Sequence, residues 1–264
     1  MNSILLEIDG AIATVTLNRP QALNAVDNAM TVDLSELSSR LEQDEEVRCV
    51  VLQGSGEHFM AGGDIKLFHQ GLEDPAEQRK LQFERMLSEL HATVTRLRRM
   101  PKPVLASVKG AVAGFGLSLM WACDLAIAAD NSYFTMAYCH IGTSPDGGAT
   151  YALPRLVGVK QAMEIAFLGE RFDAHHALEL GLVNWVVPAA ELGSETRKLA
   201  ERLAGGPTAV YGRTKRLINE SLNHSLPEQL QAEQDSFITS SAGADFAEGL
   251  RAFVAKRKPK FIGK

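Results

Sequence analysis

Four runs limit what this chain can fold into: "VRCVVLQG" (47–54), "PVLASVKG" (103–110), "DLAIAAD" (124–130) and "LVNWVV" (182–187). All four are dominated by aliphatic residues, and patterns of helical spacing separate them. Such runs fit mainly parallel strands whose two faces are both covered by helices, and so an α/β fold. Ahead of them stand two β-rich stretches, Ile4 to Ile8 and Ile12 to Leu17. The Asp9-Gly10 pair between them favours a two-residue hairpin. Asn28 to Leu41 has helical spacing and leads into the first run.

After Pro188 the strand signals stop. Residues 190–204, 207–223, 227–241 and 244–256 read as helices, several of them opening at Pro or Asp. Their apolar stripes must either pack back on the core or meet another subunit. The break at Gly205-Gly206-Pro207 is the best boundary, dividing a core at 1–205 from a helical region at 206–264. One run could mislead. Residues 111–129, "AVAGFGLSLMWACDLAIAA", are apolar over nearly a membrane's span, yet Asp124 stands among them and would be costly in lipid. The change of pattern at Cys123-Asp124 marks a buried helix followed by a buried strand.

A chain of 264 residues can bury a sizeable core, and 45% hydrophobic with 22% charged residues suits a folded globular protein. The net charge of −5 offers no basic footprint for nucleic acid. Cys49, Cys123 and Cys139 lie in apolar surroundings without C-x-x-C spacing, as expected of buried thiols. The N-terminus reaches Glu7 and Asp9 before any long apolar stretch, so no signal peptide is visible and a cytoplasmic location is expected.

Three glycine-rich segments carry chemistry. "HFMAGGDIKLF" (58–68) and "VKGAVAGFGLSLMWACD" (108–124) each follow a strand and lead into a helix. Glycines let backbone N–H groups approach a ligand, and two such loops could aim two donors at one developing oxyanion. The third, "HIGTSPDGGATYALPRLVG" (140–158), holds one carboxylate, Asp146, between a proline and two glycines. The residues alone leave two roles open for it: helix cap or general base. The dinucleotide fingerprint, the phosphate loop and the nucleophile elbow all fail on these segments, and the seven histidines form no metal-ligand pattern, so no metal is expected.

Taken together, "NRPQALNA" (18–25), "FMAGGDIK" (59–66), residues 101–130, "IGTSPDGGATYALPRLVG" (141–158) and "ADFAEGLRAFVAKRKPKF" (244–261) resemble the crotonase family, the enoyl-CoA hydratase/isomerase superfamily, over nearly the whole chain. The resemblance implies a spiral of β-β-α units, with residues 206–264 mediating a trimer or a dimer of trimers. It also implies an acyl-CoA thioester substrate, with no cofactor beyond the CoA of the substrate itself, and with neither nucleic acid nor membrane as partner. By motif position, Gly63 and Phe115 would supply the oxyanion N–H groups. Gln21, Ala22, Leu23, Ala25, Ala61, Gly62, Asp64, Ile65, Lys66 and Tyr138 would contact the substrate and its CoA arm. Lys256 and Phe261, in a tail rich in Lys and Arg, would reach the nucleotide across a subunit boundary.

Hydratases of the family place two water-activating glutamates where this chain has Ser118 and Tyr138. Neither replacement is a base near neutrality. Asp146 falls where the family's isomerases place their single acid/base. The resemblance therefore implies an acyl-CoA isomerase that moves a 3-enoyl double bond to the trans-2 position. The rivals are an enoyl-CoA hydratase of fatty-acid or aromatic catabolism and a non-catalytic acyl-CoA-binding protein of the same fold.

Overall fold

The computed structural model describes residues 3–264. The expected hairpin is present: β1 (Ile4–Asp9) pairs antiparallel with β2 (Ile12–Leu17). Helix α1 (Asn28–Gln43) begins where the Asp27 side chain accepts from Met30 N–H at 2.9 Å, and it leads to β3 (Cys49–Gly54). Then come the short α2 (Ile65–Gln70) and the long α3 (Ala76–Arg99). Helix α3 buries Leu90, Thr93, Val94 and Leu97, the three- and four-residue spacing of one helical face.

The next elements alternate between two sheets. Strand β4 (Val104–Val108) joins the main sheet and β5 (Ala111–Ala113) a smaller one before α4 (Phe115–Ala122). In the same way β6 (Leu125–Ala129) joins the main sheet and β7 (Tyr133–Thr135) the smaller one, before a helical turn at Ala137–Ile141 and α5 (Ala149–Val157). The chain continues through α6 (Val159–Leu168), β8 (Phe172–Asp173), α7 (Ala174–Glu179), β9 (Trp185–Val187) and α8 (Leu192–Ala204). It ends in α9 (Thr208–Glu220), α10 (Leu226–Ser241) and α11 (Ala244–Val254).

The main sheet has the order β1-β2-β3-β4-β6-β9 and is parallel except at β1; the smaller has the order β5-β7-β8. All four apolar runs of the sequence thus lie in one parallel sheet. Strand β3 explains their composition, because Val50 and Leu52 enter the main core beneath α1, α3 and α4 while Cys49 and Val51 meet Leu192, Ala200 and Ala204 of α8. Passing each strand pair from the large sheet to the small one makes a spiral of β-β-α units.

One expectation needs correction. Residues 111–113 are a strand, β5, and the buried helix starts only at Phe115. Pairing with β7, a strand too short to announce itself by periodicity, overrides the local pattern. From Phe115 to Ala122 every residue is buried, which is why the run looks like a membrane span. Asp124 sits just past it, its Oδ2 accepting from Val104 N–H at 2.8 Å and from Lys215 Nζ on α9 at 2.9 Å. Among the described residues no helix is long and apolar enough to cross a membrane.

The Gly205-Gly206-Pro207 break falls between α8 and α9. The C-terminal helices leave Phe237, Phe253 and Val254 exposed. The last residues fold back along α11, where Asp245 accepts from Ile262 N–H at 2.7 Å and Gly263 N–H at 2.8 Å.

Candidate active site

Two backbone ladders draw the first two glycine-rich segments together. Met60 N–H donates to Ala111 O at 3.1 Å and Ala113 N–H returns to Met60 O at 2.9 Å, so the loop before α2 runs beside β5. Gly62 then faces Gly114. At its φ of +91° a Cβ would stand 3.2 Å from Ala113 O and 3.6 Å from Phe115 N, so only glycine fits without strain. The N–H groups of Gly63 and Phe115 therefore lie on neighbouring strands of chain. Neither donates to a protein acceptor among the described residues. Phe115 also opens α4, whose N-terminal partial charge favours a negative ligand atom.

The loop ahead of α1 is stitched to the same place. Ala61 N–H donates to Leu23 O at 3.0 Å, Val26 N–H to Gly62 O at 2.8 Å, and Asp64 N–H to Val26 O at 3.0 Å. Residues 21–25 and 61–66 are thus brought together. Leu23 and Asn24 both hold positive φ, of 53° and 55°. Fully buried Asn24 secures that unusual backbone: its Nδ2 donates to Ser55 O at 2.9 Å and His58 O at 2.7 Å, and its Oδ1 accepts from Arg19 N–H at 2.8 Å. Arg19 joins the two loops by ion pairs to Asp27 at 3.1 Å and Asp64 at 2.9 Å. Burial alone would raise the Asp64 pKa, but the hydrogen bonds from Arg19, Leu67 N–H and Lys66 N–H bring it below the usual range. Asp64 is thereby the cap of α2. Ile65 is exposed at the loop edge, and so is Lys66.

Phe68 covers Gly63 from the other side, its ring packed edge-on to Phe83 at 5.0 Å. Beyond it a cavity of ≈ 340 Å³ opens between α2 and α3, lined among others by Leu67, Phe83 and Met86.

Asp146 does not cap α5. That helix starts after Gly148 with no side-chain cap, and Ala149 N–H takes the Asp146 backbone carbonyl at 3.1 Å. The carboxylate Oδ1 accepts instead from the Tyr138 hydroxyl. Gly147 brings the segment against α4, close to the Phe115 ring and Ser118. Burial raises the Asp146 pKa above the ordinary carboxylate range, opposed by the Tyr138 hydrogen bond and by His91. The site thus joins two N–H donors without a protein acceptor and one half-buried carboxylate, whose side-chain neighbours Tyr138 and Ser118 are not acids. Lys256 and Phe261 stay outside it within one chain. Lys256 is exposed at the end of α11, and Phe261 packs by Gly249 with its carbonyl bonded to Arg48 at 3.1 Å.

Sequence reasoning overlooked two residues. Arg19 lies inside the quoted "NRPQALNA", next to the proline that opens the loop, and its pairing with two aspartates needed the fold. His91, whose Nε2 accepts from Gly147 N–H at 3.3 Å, is a single histidine on α3 with no local signal.

Residues 7–264 match the family model for enoyl-CoA hydratase/isomerase. The chain is similar to the 1,2-epoxyphenylacetyl-CoA isomerase of Escherichia coli (strain K12), with 38% identity over 264 residues covering all of both chains. It is 30% identical to the trans-2-decenoyl-[acyl-carrier-protein] isomerase of Streptococcus mutans, over 99% of this chain and 98% of that one. Among solved structures, an enoyl-CoA hydratase from Polaromonas sp. JS666 superposes with a TM-score of 0.91 at 34% identity, over 98% of this chain and 99% of that one.

Proposed function

The chain belongs to the enoyl-CoA hydratase/isomerase family, and on that premise we propose that it is an acyl-CoA isomerase that shifts a 3-enoyl-CoA double bond to the trans-2 position. The thioester oxygen rests on the N–H groups of Gly63 and Phe115, each such donor contributing about 10²–10³ in rate as charge develops. Asp146 removes the proton from C2 and returns it at C4. Its burial strengthens it as a base at the cost of needing a higher pH to ionise.

The observation that carries this reading is the bonding around Asp146. Tyr138 and Ser118 both turn their hydroxyls to that residue, which leaves no paired acid to hold a water for hydration. The CoA arm would run along residues 21–25 and 61–66, and the cavity beyond Phe68 offers room for the acyl group. Lys256 and Phe261 would meet the nucleotide from an adjoining subunit of a trimer or a dimer of trimers.

The 38% identical relative favours a second reading of the substrate, an arylacetyl-CoA ring or its epoxide rearranged through the same oxyanion and carboxylate. A product assay with purified protein on 3-enoyl-CoA, trans-2-enoyl-CoA and epoxidised phenylacetyl-CoA separates these. Isomerisation of the first, or of the last, is the expected result, lost by about 100-fold or more in Asp146→Asn. Hydration of trans-2-enoyl-CoA as fast as isomerisation would sink the isomerase assignment.

A further inference from the structure

Three contacts from distant parts of the chain converge on Asp146. The Tyr138 hydroxyl, from the turn after β7, donates to carboxylate Oδ1. Ser118 Oγ, on α4, donates to the Asp146 backbone carbonyl at 2.8 Å. His91 Nε2, on α3, accepts from the following amide, Gly147 N–H, at 3.3 Å. Gly147 also closes a steric contact: at its φ of +59° a Cβ would stand 2.7 Å from Phe115 Cε2 and 2.8 Å from Ser118 Cβ. The backbone on both sides of the carboxyl, and one of its two oxygens, are therefore held. Tyr138 is the one side chain that donates to the carboxylate among the described residues, and Oδ2 takes no side-chain hydrogen bond.

We propose that Tyr138, Ser118 and His91 are positioning residues that make Asp146 a one-oxygen proton shuttle, with Oδ1 kept on the phenol while Oδ2 alone takes the proton from C2 and delivers it to C4. The inference rests on the isomerase reading above and deepens it. Its chemistry balances without a co-reactant. Loss of the C2 proton to Oδ2 leaves the bonding pair in a dienolate, with negative charge on the thioester oxygen between Gly63 and Phe115. The same proton then forms the C4–H bond with the C3=C4 pair, the thioester carbonyl re-forms, and a C2=C3 bond remains. Asp146 ends ionised, as it began.

The surrounding groups suit this division of labour. Burial above all, and then the adjacent carboxylate, keep the Tyr138 phenol protonated, so it donates and never competes for the substrate proton. Its hydrogen bond is stronger to the ionised carboxyl than to the neutral one, which limits how far burial can raise the base and eases release of the proton at C4. The titratable groups facing the carboxyl are Tyr138 from the turn and His91 from α3. Helix α4 presents Phe115 and Ser118 without charge, and Arg155 of α5 is turned onto the Tyr151 ring at 3.6 Å. Two of the three holding groups occupy the positions where the family's hydratases carry glutamates. Here those positions serve the one remaining carboxylate.

The test uses 3-hexenoyl-CoA deuterated at C2, with the deuterium found at C4 of the product and the pH profile of kcat/KM as readouts. In Tyr138→Phe the acid limb is expected to move to higher pH, and carry-over of deuterium to fall, because a freely rotating carboxyl exchanges its proton with solvent before delivery. Ser118→Ala and His91→Leu are expected to lower kcat, by up to about 100-fold for a displacement on the order of 1 Å, with KM little changed. His91→Gln, which keeps an acceptor for Gly147, should recover part of that loss. A Tyr138→Phe protein with the wild-type acid limb and wild-type carry-over overturns the proposal. So do Ser118→Ala and His91→Leu proteins with undiminished kcat, should Tyr138→Phe not fold. The underlying reading fails separately, by an Asp146→Asn protein that still isomerises; an inert Asp146→Asn beside an unmoved Tyr138→Phe profile would remove only the clamp.

Discussion

The two N–H groups proposed as oxyanion donors and the Asp146 carboxylate are neighbours, yet the molecule holds them by different means. Gly63 and Phe115 are placed by main chain on main chain, through the bonds between Met60 and residues 111–113 and between Val26 and residues 62–64. Asp146 is placed largely by side chains from α3, α4 and the turn at Ala137–Ile141. Main-chain placement tolerates changes of side chain and demands glycine where two backbones close. Side-chain placement depends on the identity of each holding residue, and here needs glycine at one point, Gly147, where the chain passes Phe115 and Ser118. The two N–H donors should therefore be sensitive at the glycines where the loops close, Gly62, Gly63, Gly114 and Gly116, whereas the base should be sensitive at several separate side chains.

Gly62→Ala gives the largest expected effect on the donors. A Cβ at φ +91° meets Ala113 O at 3.2 Å, so the loop must move away from β5 and carry the Gly63 N–H with it. A displacement of about 1 Å corresponds to a fall of about 100-fold in kcat/KM. Steady-state kinetics beside a thermal melt would check it. A Gly62→Ala protein of wild-type turnover would mean that the two loops are not rigidly coupled.

The same contrast explains what could be read from sequence. Glycines that permit close approach leave a mark in the chain, so the two donor loops and the parallel strands feeding them were legible. So was α8, whose amphipathic stripe closes the second face of the sheet. Strands β5, β7 and β8 were not, because two or three residues carry no periodicity and exist by pairing alone. Asp146 was legible as a lone acid among glycines, but its role was not decided there: cap and base use the same residue in the same turn. The empty cap of α5 and the bond to Tyr138 remove the cap reading, and the base is the proposal that remains. His91 stands on a helix separated from Gly147 by a large span of chain, and nothing local marks it.

Asn24→Ala probes an intermediate case, a loop placed by main chain but secured by one side chain. The substitution leaves Ser55 O, His58 O and Arg19 N–H without their partner and puts alanine at a φ of 55°, which asparagine tolerates better. A loss of about 2–4 kcal/mol of stability is expected, because each unpaired buried group costs ~1–3 kcal/mol and some will find water. In protein that remains folded, KM for the CoA ester should rise more than kcat falls, since the loop borders the CoA path and not the carboxylate. Denaturant melts and kinetics read the two effects separately. An equal fall in kcat with unchanged KM would assign the loop to the oxyanion pair instead.

The smallest expected effect is on stability, through the Asp146 carboxyl. Burial raises the native pKa of Asp146, while in the unfolded chain the carboxyl titrates in its ordinary range. The native state therefore binds the proton more tightly than the unfolded state, and stability falls as pH rises from the ordinary carboxylate range through the raised native value. Below that range both states are protonated and the penalty vanishes. Asp146→Asn removes the ionisation, keeps a group able to accept from Tyr138, and so should melt higher than wild type at neutral pH, by a margin on the order of 2 °C. The margin should close as pH is lowered from the raised native value into the ordinary carboxylate range. Tyr138→Phe should act in the opposite sense, since losing the phenol deprives the ionised carboxyl of its side-chain hydrogen-bond donor; its deficit should be largest at high pH. Melts of the three proteins across pH would reveal both trends. A pH-independent difference between Asp146→Asn and wild type would show that the carboxylate is as well solvated as in the unfolded chain, and that its side-chain ring places it without setting its proton affinity.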